Sequence, residues 1–142
     1  MAITVDANVL INAANRQSPR QAASRNFIER AVASDEPLYL FAPVLVAYMR
    51  VTTIPGVFRL PLDPSVATNN ILTITRMPGV VLASERDGFW ERFASVIKED
   101  GVRGRLVHDA HIAVLMYQHE VSTIATYDRD FRLFDGIRVI EP

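Results

Sequence analysis

Asp6, Asp109 and Asp128 are the residues whose type and placement point to chemistry. Asp6 directly follows the run Ile3-Thr4-Val5, and Asp128 follows a second run, Ser122 to Thr126. Both runs read as strands, so each aspartate stands outside the carboxyl end of a strand, where an open α/β sheet receives its ligands. Asp109 lies early in an alanine-rich helical segment that leads into the second run, and that helix returns it to the same edge. Three carboxylates gathered in this way repel and raise one another's pKa unless a cation sits among them. Oxygen-only donors favour a hard divalent ion, Mg²⁺ or Mn²⁺, which keeps several waters, accepts a phosphate oxygen and acidifies water into a nucleophile.

Taken singly, each residue has an ordinary explanation. Asp6 caps a turn beginning at Asn8, Asp109 complements the dipole of a helix N-terminus, and Asp128 and Asp130 flank Arg129 in a polar turn. It is the placement of all three at one edge that favours a shared site. His108 and His111, three residues apart, lack the H-E-x-x-H spacing of a zinc helix, so at most His111 supports a site from behind; His119 suits the end of a helix. A strand-end aspartate also serves as nucleophile in haloacid dehalogenase phosphatases, but Asn8 stands where that motif wants a second aspartate. No G-x-S-x-G, Walker loop or G-x-G-x-x-G occurs, which leaves serine hydrolase, P-loop and dinucleotide readings without support.

The elements that must position these residues alternate. Continuous apolar runs at Ile3 to Val5, Leu38 to Phe41, Gly79 to Leu82, Ser122 to Thr126 and Ile137 to Ile140 predict five short strands covered on both faces. Between them, apolar residues at the helical period predict helices over Pro19 to Ser34, from Pro43 through Val51, from an Asp63-Pro64 start to Met77, over Asp87 to Asp100 and over Leu106 to Glu120. The fold class is therefore α/β, with helices stacked by right-handed crossovers on both faces of a twisted sheet.

The 142 residues suit one domain spanning 1–142, without linker or repeat. The net charge of −1 provides no general basic field, so a polyanion must be held locally. Lys98 is the only lysine, and the other basic residues are arginines. The absence of cysteine removes disulfides, thiolate metal sites and thiol nucleophiles. With no signal-peptide pattern and no apolar run near the ~18 residues of a membrane span, the expected compartment is the cytoplasm.

Three segments carry a resemblance. I-T-V-D-A-N-V-L at the start, V-H-D-A-H-I-A-V-L, and T-I-A-T-Y-D-R-D-F-R-L-F near the end together resemble a PIN domain of the VapC type, the toxin half of bacterial toxin–antitoxin pairs, in order, spacing and total length. The resemblance implies a PIN-like three-layer α/β/α fold on a five-stranded, mainly parallel sheet. It also implies a Mg²⁺- or Mn²⁺-dependent endoribonuclease acting on structured RNA such as tRNA or rRNA, dimeric, and silenced by a small cognate antitoxin. By the same match Asp6, Asp109 and Asp128 ligate the metal, Asn8 and Thr126 orient the site, and Asp130 is an additional ligand candidate. One departure stands out. The family carries a glutamate on the helix after the second strand, whereas Phe41 to Leu62 contains no acid. The expected consequence is one firmly held metal, a weaker affinity, or a site completed by Asp130 or by the RNA phosphate itself, with a fold kept only for partner binding as the rival outcome.

Overall fold

A computed structural model describes residues 1–142. Its chain order is β1 (Ile3–Val5), α1 (Ala7–Ala14), α2 (Gln21–Ala33), β2 (Leu38–Phe41), α3 (Ala42–Thr52), α4 (Pro64–Thr75), β3 (Val80–Ala83), α5 (Phe89–Glu99), α6 (Leu106–Gln118), β4 (Thr123–Ala125), a 3-10 turn at Arg129–Leu133, and β5 (Arg138–Ile140). The five strands form one sheet in the order β3-β2-β1-β4-β5, and every pairing is parallel, so the sheet is wholly rather than mainly parallel. Ile3 of β1 lies opposite Leu38 on one side and Thr123 on the other.

That order explains where a site must form. From β1 the chain steps through β2 to β3 in one direction, then crosses back to β4 on the far side of β1 and continues to β5. Right-handed crossovers place α1 to α4 on one face of the sheet and α5 and α6 on the other. The loops leaving β1 and β4 consequently part to opposite faces, opening a crevice between the carboxyl ends of those two strands.

The core is continuous through both layers. Val5, Leu40, Phe41, Ile112, Leu115, Ile124 and Phe131 are fully buried. Apart from its first turn, α6 is apolar on nearly every side and hides Ala110, Ile112, Ala113, Val114, Leu115 and Met116, as a helix enclosed by its neighbours must. The helix starts and stops follow local chemistry. Asp63 caps α4 by accepting from the Ser65 N–H at 2.8 Å, with Pro64 at the first helical position. After α5, Gly101 takes a φ of 62°, a left-handed conformation that glycine adopts without strain.

Two elements differ from the sequence reading. The turn expected at Asn8 is the eight-residue helix α1; its asparagines are poor helix formers, but burial of Val9 and Leu10 against the core overrides that preference. The third strand runs one residue later than expected, from Val80 to Ala83, because Gly79 at φ 81° is part of the turn that enters it.

Candidate active site

The crevice between β1 and β4 is built on a hydrogen-bonded frame. The Asp6 N–H makes the last ladder bond to the Ala125 carbonyl at 2.9 Å, after which its side chain turns to cap α1. Asp6 Oδ1 accepts from the Ala7 N–H at 2.7 Å, while Oδ2 accepts from Thr126 Oγ1 at 2.8 Å and from Asn8 Nδ2 at 3.1 Å. The Thr126 hydroxyl also accepts from Asn8 Nδ2 at 3.0 Å and from the Asp128 N–H at 2.9 Å, so its one donor and both lone pairs are used. Asn8 Oδ1 accepts from the Tyr127 N–H at 3.2 Å. Two loops from opposite ends of the sequence are thereby pinned together by Asp6, Asn8 and Thr126.

In front of this frame stand Asp109, Asp128 and Asp130, each offering an oxygen within 4.8 Å of the others. Asp109 projects from the first turn of α6 and is only 8% exposed. It takes no hydrogen bond from the protein. Burial raises its pKa to about 7, and the charges of Asp6, Asp128 and Asp130 push the same way against a smaller opposing effect of Arg105. Asp128 Oδ1 accepts from the Asp130 N–H at 2.9 Å and caps the 3-10 turn. Asp130 is held by Arg105 Nη1. Asp6 is raised by burial, with its hydrogen bonds and His108 opposing and Asp128 adding to the rise.

The sequence-predicted residues are thus distributed in two ranks. Asp109, Asp128 and the lesser candidate Asp130 come together as an open oxygen cluster; Asp6 lies outside that group with three hydrogen-bond donors on its carboxylate, beside Asn8 and Thr126. Sequence reasoning missed Arg105, whose only signal was the G-V-R-G-R stretch before α6, and Glu85, which follows β3 and meets His111 Nε2 at 2.5 Å. His108 was set aside with His111, yet it interacts with Asp6; burial lowers its pKa, Asp6 opposes, and His111 and Arg50 add to the lowering. His119 donates from Nε2 to the Ser84 carbonyl at 2.8 Å and packs 5.7 Å from the Phe41 ring, away from the acids.

The donor set fits a divalent cation. It consists of carboxylate oxygens alone, which suits a hard ion, and the raised pKa of Asp109 reflects burial first and then three neighbouring acids that Arg105 only partly offsets. On α3, Ala47 lines the cleft beside this centre, whereas Tyr48 is 5% exposed and its hydroxyl accepts from Asn70 Nδ2 at 3.0 Å. The acid-free helix therefore presents a methyl group at the cleft. Another groove, lined by Leu10, Ile28, Leu45, Ile71 and Ile74 with Arg25 and Glu29 at its rim, gathers no comparable cluster of acids. No helix is long and apolar enough to cross a membrane.

Comparison with known proteins agrees with this architecture. The family model described as PIN domain matches residues 3–137. Ribonuclease VapC48 of Mycobacterium tuberculosis strain H37Rv is 41% identical over 142 residues, covering 100% of this chain and 98% of the relative. Ribonuclease VapC37 of the same organism is 32% identical over 139 residues, 97% of this chain and 95% of its own. Among solved structures, the M. tuberculosis toxin VapC20, titled as cleaving the Sarcin-Ricin loop, superimposes with a TM-score of 0.74 at 16% identity over 99% of both chains.

Proposed function

The chain belongs to the PIN domain family, and from that premise, with relatives named as VapC ribonucleases, we propose that it is a divalent-cation-dependent endoribonuclease acting as the toxin of a toxin–antitoxin pair. The observation that carries the reading is Asp109, a nearly buried carboxylate without a hydrogen-bond donor, facing two further acids at the sheet's switch point.

Asp109 and Asp128 would hold the ion, and Asp130 would supply a third oxygen on release from Arg105. Asp6, whose three hydrogen bonds leave an acceptor site free on Oδ1, would serve as a further ligand and adds negative charge beside the centre. Thr126 and Asn8 fix the separation of the two loops, and the Thr126 hydroxyl orients the Asp128 backbone directly. The ion is Mg²⁺ or Mn²⁺, and when bound it would supply Lewis-acid charge that offsets the phosphate and acidifies water. In hydrolysis the oxygen of a water bonds to phosphorus as the bond to the 3′ oxygen breaks, leaving a 5′-phosphate; the water gives a proton to solvent and the departing 3′ oxygen takes one up to become a hydroxyl. The natural substrate is a structured RNA such as tRNA or rRNA. A small antitoxin and a second copy of the chain are its protein partners, and the exposed Leu60, Leu82 and Trp90 supply apolar surface for such contacts.

A second reading, a PIN fold that binds partners without cutting, is favoured by one observation, the methyl group of Ala47 where an acid would add charge to the centre. Cleavage of total RNA against Mn²⁺ concentration separates the two. The ribonuclease reading expects Asp109→Asn to lower the rate by at least about 100-fold, the scale of losing a direct metal ligand. Wild type no faster than Asp109→Asn at every concentration gives the case to the non-cutting reading.

A further inference from the structure

Beside the acidic centre lies a second, chemically opposite feature. Between α3, the loop after β3 and the first turns of α6 is a cleft of about 310 Å³, with Arg50, His108, His111 and Glu85 as its ionisable lining and Val46 and Ala47 as its apolar wall. His108 joins the two features, since it lines the cleft and directly precedes Asp109 of the acidic centre on α6. Glu85, the one acid of the cleft, is already engaged by His111. Arg50 has no carboxylate partner and makes no hydrogen bond, so an always-charged fork of donors faces the cleft unopposed, one turn along α3 from Ala47.

We propose that this cleft is a phosphate subsite of the nuclease, in which Arg50, flanked by His108, grips the backbone phosphate next to the scissile one. The inference rests on the ribonuclease reading of the adjoining centre. Its physical logic is that a chain of net charge −1 has no general attraction for a polyanion, and its acidic centre repels one; an RNA strand brought there needs a local cation close at hand. Arginine meets that need with two parallel N–H donors on one phosphate. Because the subsite binds a phosphate that does not react, its contact is the same in ground and transition states, so it lowers KM and leaves kcat alone.

The test separates binding from cutting. In EDTA, anisotropy of a fluorescein-labelled single-stranded RNA of mixed sequence is measured against NaCl for wild type, Arg50→Ala, Arg50→Lys and Arg76→Ala, the last removing an equal charge at the opposite, amino edge of the sheet. Arg50→Ala is expected to weaken binding about 5- to 10-fold and to lower the salt slope by about 0.7, the value of one single-strand phosphate contact. Arg50→Lys should keep the slope and regain part of the affinity, and Arg76→Ala should stay within about twofold of wild type. With Mn²⁺ present, Arg50→Ala should raise KM by a similar factor while kcat changes less than about twofold. Equal losses in Arg50→Ala and Arg76→Ala, or an unchanged slope in Arg50→Ala, overturn the subsite. Absence of cleavage by wild type with the Arg50 effects intact overturns the ribonuclease reading and leaves the anion site standing.

Discussion

The two edges of the sheet treat charge in opposite ways. At the amino edge, the Met1 ammonium pairs with Glu36, while Arg30 and Arg138 line an open depression beside Ile3 and Phe27. Charges there are exposed and screened, and pairs of that kind contribute little to stability. At the carboxyl edge, Asp6 and Asp109 are nearly buried, Asp128 and Asp130 crowd against them, and only Arg105 answers with a direct ion pair. Strand pairing and core packing are equally regular at both edges, so backbone architecture does not distinguish them. The difference is that the amino edge leaves its charges, the unpaired Arg30 and Arg138 included, to be screened by solvent, whereas the carboxyl edge crowds like charges where burial makes them costly. A functional centre of this type is stored as local instability that the remaining core tolerates.

The comparison breaks most readily through Asp109. Its pKa of about 7 in the folded chain lies above the ordinary 3.8, so between roughly pH 4 and 7 the folded protein holds a proton that the unfolded chain releases. Stability of the metal-free protein therefore falls as pH rises through that window, stays reduced above it, and carries no such penalty below pH 4. Asp6, raised in the same direction, adds to the slope. Discounted for solvent access, the expected gain on Asp109→Asn is about 2–3 kcal/mol at pH 8 and nothing near pH 3.5, read by urea denaturation in EDTA. Saturating Mn²⁺ should abolish the gain by stabilising wild type alone. A substitution that destabilises at pH 8 would place Asp109 among paired, structural carboxylates.

The frame behind the cluster is the next place to press. Thr126→Val keeps the side-chain shape but removes the donor to Asp6 and the acceptor for Asn8 and the Asp128 N–H. The expected cost is about 1–2 kcal/mol in denaturation, because buried partners lose a hydrogen bond, together with about a 10-fold loss of cleavage as the two loops lose their registration. Full activity in Thr126→Val would show that α1 and the 3-10 turn are held apart by packing alone. The smallest effect belongs to the other edge. Glu36→Gln removes the Met1 pair and is expected to change stability by less than about 0.5 kcal/mol and to leave the cleavage rate unchanged. A loss comparable to that of Thr126→Val would erase the contrast between the edges.

Much of the architecture was legible along the chain. Short continuous apolar runs marked all five strands, Asp63-Pro64 marked the start of α4, and Gly101 marked the end of α5, because each of these is a matter of local residue preference and capping. Helix α1 was not legible: two asparagines in eight residues argue for a turn, and only the burial of Val9 and Leu10 argues otherwise. The three aspartates could be collected at one edge from two strand ends and the helix that leads back to the second of them. Their ranking could not, since it depends on which hydrogen-bond donors reach each carboxylate.

By itself the sequence determined that this chain forms a parallel α/β sheet with acids at the carboxyl end, because apolar periodicity and strand-end placement are properties of neighbouring residues. Only the tertiary structure decided that Asp6 receives three hydrogen bonds while Asp109 receives none, that Asp130 joins the cluster, and that Arg50 and His108 line one cleft. Those facts depend on distances between residues far apart in the chain, as Asp6 and Thr126 are, and burial raises the pKa of Asp109 only once the whole fold has packed around it.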